Sequence, residues 1–388
     1  MKSGQRTICL FTAHSPEVGG GGAILRSLLP DLREEIGVTW YYLAARPVLG
    51  HEKGWLGEPL MGHGGAIADL SATTAMLGGV PTARWKRLLQ QLVDIDCDAY
   101  WIVSHNEGLC VARDLVRASS RPVHLTVHDD WAGALCERSV RYRLLAPLAD
   151  NVTRHVLKRV ASVDVVSHGM RELYRRSAGV EAVICHRHLP QLPPPACQPD
   201  GPLTVGHVGS IYSAHELWCF ADAFKHFCVE RGEEGRIFLW GSHLRNRDVP
   251  RHLEQWVEFC PNAAEGQVVL QLQQCHFVYA MYPFARRLRR FSQTSLPTKL
   301  STYVLAQRPI LGHGPADSSL AEFLRQTGVG RMWDSMATTF GQKEIAALFS
   351  SPIATNSWEH ARTVYFGKAG AESLRLVFSR LAPMVPGR

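Results

Sequence analysis

No stretch of this sequence reaches the roughly 18 consecutive apolar residues that a membrane-spanning helix needs, and the first apolar run, Ile8 to Ala13, is too short for the core of a secretion signal. The expectation is a protein that remains in the cytoplasm. Ten cysteines are present, but no two stand in a CxxC pair, and a chain with this much apolar residue needs no disulfide staples. They read as reduced thiols, and the sequon Asn151-Val152-Thr153, which matters only in a secreted chain, carries no meaning. Repeats of solenoid period and low-complexity tracts are also lacking. A large charge of one sign is missing too: 42 Lys and Arg against 35 Asp and Glu give a formal +7, which favours anionic partners without naming one. With 46% hydrophobic and 20% charged residues in 388, what is there is an ordinary globular composition, long enough for two domains.

The chain alternates short apolar runs with helical patterns. Thr7 to Thr12 reads as a buried strand, Gly19-Gly20-Gly21-Gly22 as a flexible loop, and Ala23 to Leu32 as a helix. Strands follow at Gly37–Leu43, Ala99–Val103, Pro122–Val127, Ser162–Ser167 and Ala182–Cys185, with helices at Thr82–Leu92, Gly108–Arg117, Val140–Arg159 and Gly169–Ser177. Arg46 to Gly79 is glycine-rich and without clear period. The prolines between Leu189 and Pro202 can continue neither helix nor strand and mark a domain linker. The alternation then restarts with a strand at Leu203–Val208, the tight loop Gly209-Ser210-Ile211-Tyr212 and a helix opened by the capping box Ser213-Ala214-His215-Glu216. Further strands are expected at Arg236–Trp240, Val268–Leu270, Phe277–Met281 and Pro309–Leu311, and helices at Pro250–Cys260, Pro297–Ala306, Asp317–Gln326 and Ser357–Arg380. Strands separated by helices imply parallel sheets covered on both faces, so the fold class is α/β. The expected domains are 1–195 and 203–356, with 357–388 packing back on either, and a ligand cleft facing the carboxyl ends of both sets of strands.

Three stretches carry chemistry. The Gly19–Gly22 run offers backbone N–H groups at a helix start but lacks both GxGxxG spacing and a Walker Lys-Ser/Thr. Val127-His128-Asp129-Asp130-Trp131 ends a buried strand in four residues able to act as acid, base or sugar platform. His124 and His128 stand about 13 Å apart along a strand at ~3.3 Å per residue, too far for one metal ion. Arg286, Arg287, Arg289 and Arg290 precede Pro297-Thr298-Lys299, which together read as an anion pocket with proline at the first helical position, suited to a diphosphate. The arginines lack the interleaved aromatics of nucleic-acid binders. Lys158-Arg159 and Tyr174-Arg175-Arg176 are basic helical patches, usually solvated, that also allow peripheral contact with an anionic membrane.

The order of these pieces resembles the GT-B fold glycosyltransferases, specifically the large retaining family of bacterial polysaccharide and glycolipid enzymes. The carriers are Ser15 to Gly22, Val127 to Trp131, Val163 to Met170, Gly206 to Tyr212, Ser295 to Tyr303 and Gly312-His313-Gly314-Pro315. The resemblance spans nearly the whole chain and implies two Rossmann-like domains facing across a cleft. It implies transfer of a sugar from a nucleoside-diphosphate sugar to an acceptor, a glycan, glycolipid or small molecule, with retention and without metal or other cofactor. By the same resemblance His128 and Asp129 are catalytic, and Asp130 and Trp131 orient the acceptor. Gly20, Gly21, Ser210, Pro297, Thr298, Lys299 and Thr302 bind the donor. Two departures stand out. The family's two glutamates, with seven residues between them, fall at Thr294 and Thr302, and the second usually grips the nucleotide ribose. Ile211 and Tyr212 stand where an arginine and a lysine are common. The missing glutamates keep open an alternative, a catalytically silent GT-B protein that binds a carbohydrate or a partner glycosyltransferase.

Overall fold

The computed structural model describes residues 6–17, 19–61, 66–79, 82–138, 140–195 and 197–381; Val18 of the first loop and Ala196 of the linker lie outside them. The chain forms two compact units, Met1–His188 with Lys368–Arg388 and Leu189–Gly367.

The first unit runs β1 (Arg6–Thr12), α1 (Gly19–Arg33), β2 (Ile36–Tyr42), α2 (Ala66–Leu77), α3 (Ala83–Asp94), β3 (Ala99–Val103), α4 (Gly108–Ala118), β4 (Val123–Val127), α5 (Trp131–Arg138), α6 (Val140–Arg143), α7 (Ala146–Leu157), β5 (Ser162–Val165), α8 (His168–Ala178) and β6 (Val183–Ile184). Its sheet is parallel throughout, in the order β2-β1-β3-β4-β5-β6. Every residue of β3 and β4 is buried, the mark of strands covered on both faces. Strand order reverses beside β1, so the loops leaving β1 and β3 splay apart at the carboxyl edge and open a crevice there. The helix expected over Val140–Arg159 is two helices, because Pro147 at the start of α7 lacks the N–H that a continuous helix would need.

The second unit runs β7 (Leu203–Val208), α9 (Ala214–Glu230), β8 (Gly235–Trp240), β9 (Val257–Cys260), α10 (Glu265–Leu272), β10 (Phe277–Met281), α11 (Arg289–Thr294), α12 (Lys299–Ala306), β11 (Ile310–His313), α13 (Ser319–Thr327), β12 (Gly330–Trp333), α14 (Thr338–Ser350) and α15 (Thr355–Phe366). Its parallel sheet has the order β12-β11-β10-β7-β8-β9 and reverses beside β7. Two expected elements exchange identity here. Val257-Glu258-Phe259-Cys260, expected as helix, pairs with β8 as the edge strand β9. Val268 to Leu270, expected as strand, lies in α10, whose buried residues Val268, Val269 and Leu272 recur at helical spacing. The capping box at Ser213 does not form either. Ser213 donates its hydroxyl to the buried carboxylate of Glu216, whose other oxygen accepts the Phe284 N–H at 2.8 Å. The start of α9 is thereby tied to the chain leaving β10. Asp317 does not cap α13; the Ser318 hydroxyl accepts the Ala321 N–H and Asp317 pairs with Arg289.

The last segment divides at Gly367. α15 belongs to the second unit, and α16 (Ala369–Leu381) belongs to the first. The anchor of α16 is Phe378, fully buried, with its ring 5.1 Å from both Trp101 and His124. Beneath that ring the β4–β5 register sets His124 beside Ser162 and Thr126 beside Asp164. His124 bonds Ser162 Oγ and Asp164 Oδ1 at 2.7 Å each, Thr126 donates to the same Asp164 oxygen, and the Trp101 indole N–H donates to Thr126 Oγ1 at 2.7 Å. Phe378→Ala removes the ring that closes this network, so the expected outcome is a loss of about 3–5 kcal/mol of stability, read as an earlier urea-unfolding midpoint.

Candidate functional site

In the first unit the candidate residues gather where β1, β3 and β4 end. The Gly19–Gly22 run, expected as a flexible loop, is already the first turn of α1, with Gly19 at φ 76° turning the chain into it. A methyl group on Gly21 would lie 2.8 Å from His128 Nδ1 and 3.4 Å from His14 Nε2, so glycine is what allows the two imidazoles to close on the helix start. His14 in turn stands edge-on to His105, centroids 5.7 Å apart. Burial pushes His128 and His14 down to about 4, and the fixed charge on neither survives at neutral pH. Two neutral rings therefore face the helix N-terminus. His128 is half-buried, and its Nε2 is buried without a hydrogen-bond partner among the described residues.

The neighbours of His128 divide by accessibility. Asp129 is half-buried at the strand end. Asp130, expected against the acceptor, is instead buried: its carboxylate accepts the Gly133 N–H at 2.8 Å and the Tyr174 hydroxyl at 3.3 Å, which caps α5. Trp131, expected as a flat face for a sugar ring, is only 8% exposed and begins α5 in the core. Neither offers a ligand surface in this structure. His14, which sequence reasoning missed, becomes visible only through its contact with Gly21.

In the second unit the site grows from the β7 end. Lys299 is the first residue of α12, following Thr298 at the cap; Pro297 precedes the helix and does not occupy its first position. The Lys299 ammonium donates to the Ser210 carbonyl at 2.6 Å, lies 3.2 Å from His207 Nε2, and sits 5.3 Å above the Tyr212 ring. His207 is fully buried on β7, and its Nδ1 donates to the Tyr279 carbonyl at 2.9 Å, which leaves Nε2 as the acceptor for Lys299. Burial holds His207 at about 3 and lowers Lys299 to about 7. Two ammonium hydrogens are thus engaged and the third is available at the carboxyl edge of the sheet. His207 is a second residue missed from sequence; the only signal was its place in the Gly206-His207-Val208-Gly209 strand end.

The two positions of the absent glutamates differ. Thr294 is buried and donates its hydroxyl to the Arg290 carbonyl at 2.8 Å, closing that position inside α11. Thr302, one turn beyond Lys299, donates to Glu265 Oε1 at 2.9 Å. Of the arginine cluster, Arg289 is held by Asp317, while Arg286 and Arg287 lie in a 3-10 turn before α11. Among the described residues no group of three or more His, Cys, Asp or Glu is placed to hold a metal ion, and no helix is long and apolar enough to cross a membrane.

Gly21→Ala should push the His128 ring out of its pocket. The expected outcome is a His128 imidazole whose pKa rises from about 4 toward the ordinary histidine value near 6.5, because the shift comes from burial; pH titration by nuclear magnetic resonance reads it directly.

No protein-family model matches the sequence, and no curated protein does. Solved structures match it at low identity over almost its full length. Sucrose-phosphate synthase from Thermosynechococcus elongatus superposes with a TM-score of 0.69 at 12% identity, covering 97% of this chain and 99% of that one. HepE from Anabaena, solved in complex with UDP and glucose, gives 0.67 at 15% identity over 97% and 100%. A UDP-forming α,α-trehalose-phosphate synthase from Burkholderia xenovorans gives 0.60 at 11% identity over 99% and 100%. Two six-stranded parallel sheets with flanking helices, matched along the whole length of these glycosyltransferases, give this chain the GT-B fold.

Proposed function

We propose that the protein is a glycosyltransferase that takes a sugar from a nucleoside-diphosphate sugar. The observation that carries this reading is the Lys299 ammonium, fixed at the start of α12 between the Ser210 carbonyl and a neutral His207, with a donor left over. In that place it supplies positive charge against the negative charge that a leaving diphosphate develops, and Thr298 and the α12 N-terminus add dipoles whose positive ends point the same way. His128 serves the transferred sugar: a neutral imidazole offers a hydrogen bond to a hydroxyl without an ionic tether to the phosphates, and Asp129 stands beside it at the strand end. The backbone of Gly20 and Gly21 contributes N–H groups to the donor. The acceptor is a glycan, glycolipid or small molecule, transfer proceeds with retention and without a metal, and the protein works in the cytoplasm with peripheral contact to an anionic membrane face. The family likeness supports these finer points. The second reading, a silent carbohydrate-binding or partner-binding GT-B protein, is favoured by one observation, the closed Thr294.

Lys299→Ala is expected to weaken nucleoside diphosphate binding by roughly 10- to 100-fold and nucleoside binding hardly at all, since a charge-assisted phosphate contact is worth about 1.5–3 kcal/mol; isothermal calorimetry separates the two. The same contact predicts a pH dependence. Only the protonated amine carries charge, and its pKa is lowered to about 7, so diphosphate affinity of the parent protein falls by up to about tenfold per pH unit above that value, until the pKa of the complex is reached. Affinity that is flat over this range places Lys299 away from the phosphates.

His128→Ala, assayed in excess EDTA, should lower turnover by about 100-fold or more and leave donor affinity nearly unchanged, because the lost hydrogen bond acts on the reacting geometry. EDTA alone is expected to leave parent turnover intact. Near-normal turnover in the folded variant removes His128 from the chemistry.

A further inference from the structure

At the amino edge of the first sheet two arginines converge on one histidine. Arg117 lies in the last turn of α4 and His155 in the last turn of α7, with Lys158 and Arg159 just beyond it. These helices lead into β4 and β5, so both end at that edge. The length of β4, roughly 15 Å at about 3.3 Å per residue, separates it from His128. Arg117 Nη2 lies 2.8 Å from His155 Nε2, and Arg159 Nη1 lies 2.8 Å from His155 Nδ1. Arg117, Lys158 and Arg159 are exposed, and among the described residues none of them meets a carboxylate. Asp114, one turn before Arg117, is already engaged by Arg113 and the Trp85 indole N–H. The whole cluster is built by the first unit alone.

A guanidinium only donates, and a neutral imidazole has one lone pair and one N–H. Only one of the two arginines is therefore bonded to the ring, and the other faces an N–H, donor against donor. Protonation would set both arginines against donors, and burial together with the charges of Arg159 and Arg117 lowers the His155 pKa. The imidazole thus stands where a counter-ion belongs and meets half of the demand. The helix dipoles do not account for this arrangement. Cations at a helix C-terminus are held by the last carbonyls, but Arg159 Nη1 reaches the His155 carbonyl only at 3.4 Å, and Arg117 turns to the ring instead. The two arginine nitrogens stand no more than about 8 Å apart, two hydrogen bonds and the width of a ring, which is the span that one phosphate bridges between donors.

We propose that Arg117, His155 and Arg159 form a binding site for a phosphate group, held between the two guanidiniums with the imidazole N–H as a third donor and Lys158 at its rim. A phosphate offers three acceptor oxygens and a charge near −2, which matches three donors and two fixed cations better than a carboxylate does. The group arrives on a soluble molecule or on a lipid headgroup, and the exposure of the cluster admits both. Neither source is the sugar donor. The site stands at the edge opposite His128 and in the unit that does not hold Lys299, so the inference goes beyond the nucleotide-sugar reading and stands without it.

The experiment uses the full chain and two probes at constant ionic strength, inorganic phosphate and vesicles of phosphatidylcholine with or without phosphatidic acid. Phosphate is followed at the His155 ring resonances by nuclear magnetic resonance, which separates this site from Lys299, and vesicle binding is followed by sedimentation. The parent protein is expected to show a saturable His155 shift at millimolar phosphate, sedimentation with the phosphatidic acid vesicles, or both. Response to either probe upholds the site and names the source of its phosphate. Arg117→Gln combined with Arg159→Gln should weaken that response by about tenfold or more. Both side chains are exposed, so the variant keeps the fold, and an unchanged thermal midpoint shows it. Arg175→Gln combined with Arg176→Gln removes the same charge from another exposed helix face and should leave the response within about twofold. An equal loss in the two double variants reduces the binding to net charge and overturns the site. So does a parent protein that responds to neither probe, whether or not it binds a single-stranded oligonucleotide.

Discussion

The site in the second unit depends on how an ammonium group is kept next to a buried histidine without ionising it. His207 donates through Nδ1 to the Tyr279 carbonyl, so the lone pair that faces Lys299 is fixed by the hydrogen-bond pattern of the sheet. The same carbonyl accepts the Tyr303 hydroxyl at 2.8 Å, and that hydroxyl accepts the Val208 N–H at 3.1 Å. β7, β10 and α12 are thereby tied through one carbonyl and one phenol, and the first residue of α12 is delivered to the β7 loop. Burial is what drives His207 neutral and lowers Lys299 to about 7. A group so close to neutrality carries its full charge only when an anion stabilises it, which suits a residue meant to hold a diphosphate that comes and goes.

The first unit solves a comparable problem with uncharged rings. His128 reaches the end of β4 because the strand is buried up to that point, and Gly21 leaves the space in which its ring can lie. Below it, the residue two positions back, Thr126, and the one four back, His124, are locked into the Asp164 network. Alternation along β4 thus assigns even-numbered polar residues to one face: two are consumed inside the fold and the third emerges at the edge. α16 covers that face through Phe378, which explains why the end of the chain packs with the unit formed by its beginning.

The corrections within the site share a cause. Asp130 and Trp131 stand next to His128 in sequence, and proximity suggested a common task, but the chain turns into α5 at once and needs a cap and a core residue there. Pro297 reads as a helical first residue by composition, whereas the helix begins after it with Lys299. The exchange of helix and strand between Pro250 and Leu270 has another origin. Val257-Glu258-Phe259-Cys260 is too short for its alternation to outweigh the surrounding pattern, and adjacent valines at 268 and 269 imitate a strand although their burial follows α10.

By itself the sequence determined the α/β class, the restart of the alternation after the proline segment, the glycine turn that follows β7, and the placing of His128 and Lys299 at strand and helix ends. These are local matters, fixed by periodicity, by the missing N–H of proline and by the conformational range of glycine. Only the tertiary structure decided that Glu265 meets Thr302, that Gly21 meets His128, and that the last helix joins the first unit. Each of those pairs is separated by tens to hundreds of residues, and a hydrogen bond or steric contact across such a distance is set by strand register and helix packing, which no local pattern encodes.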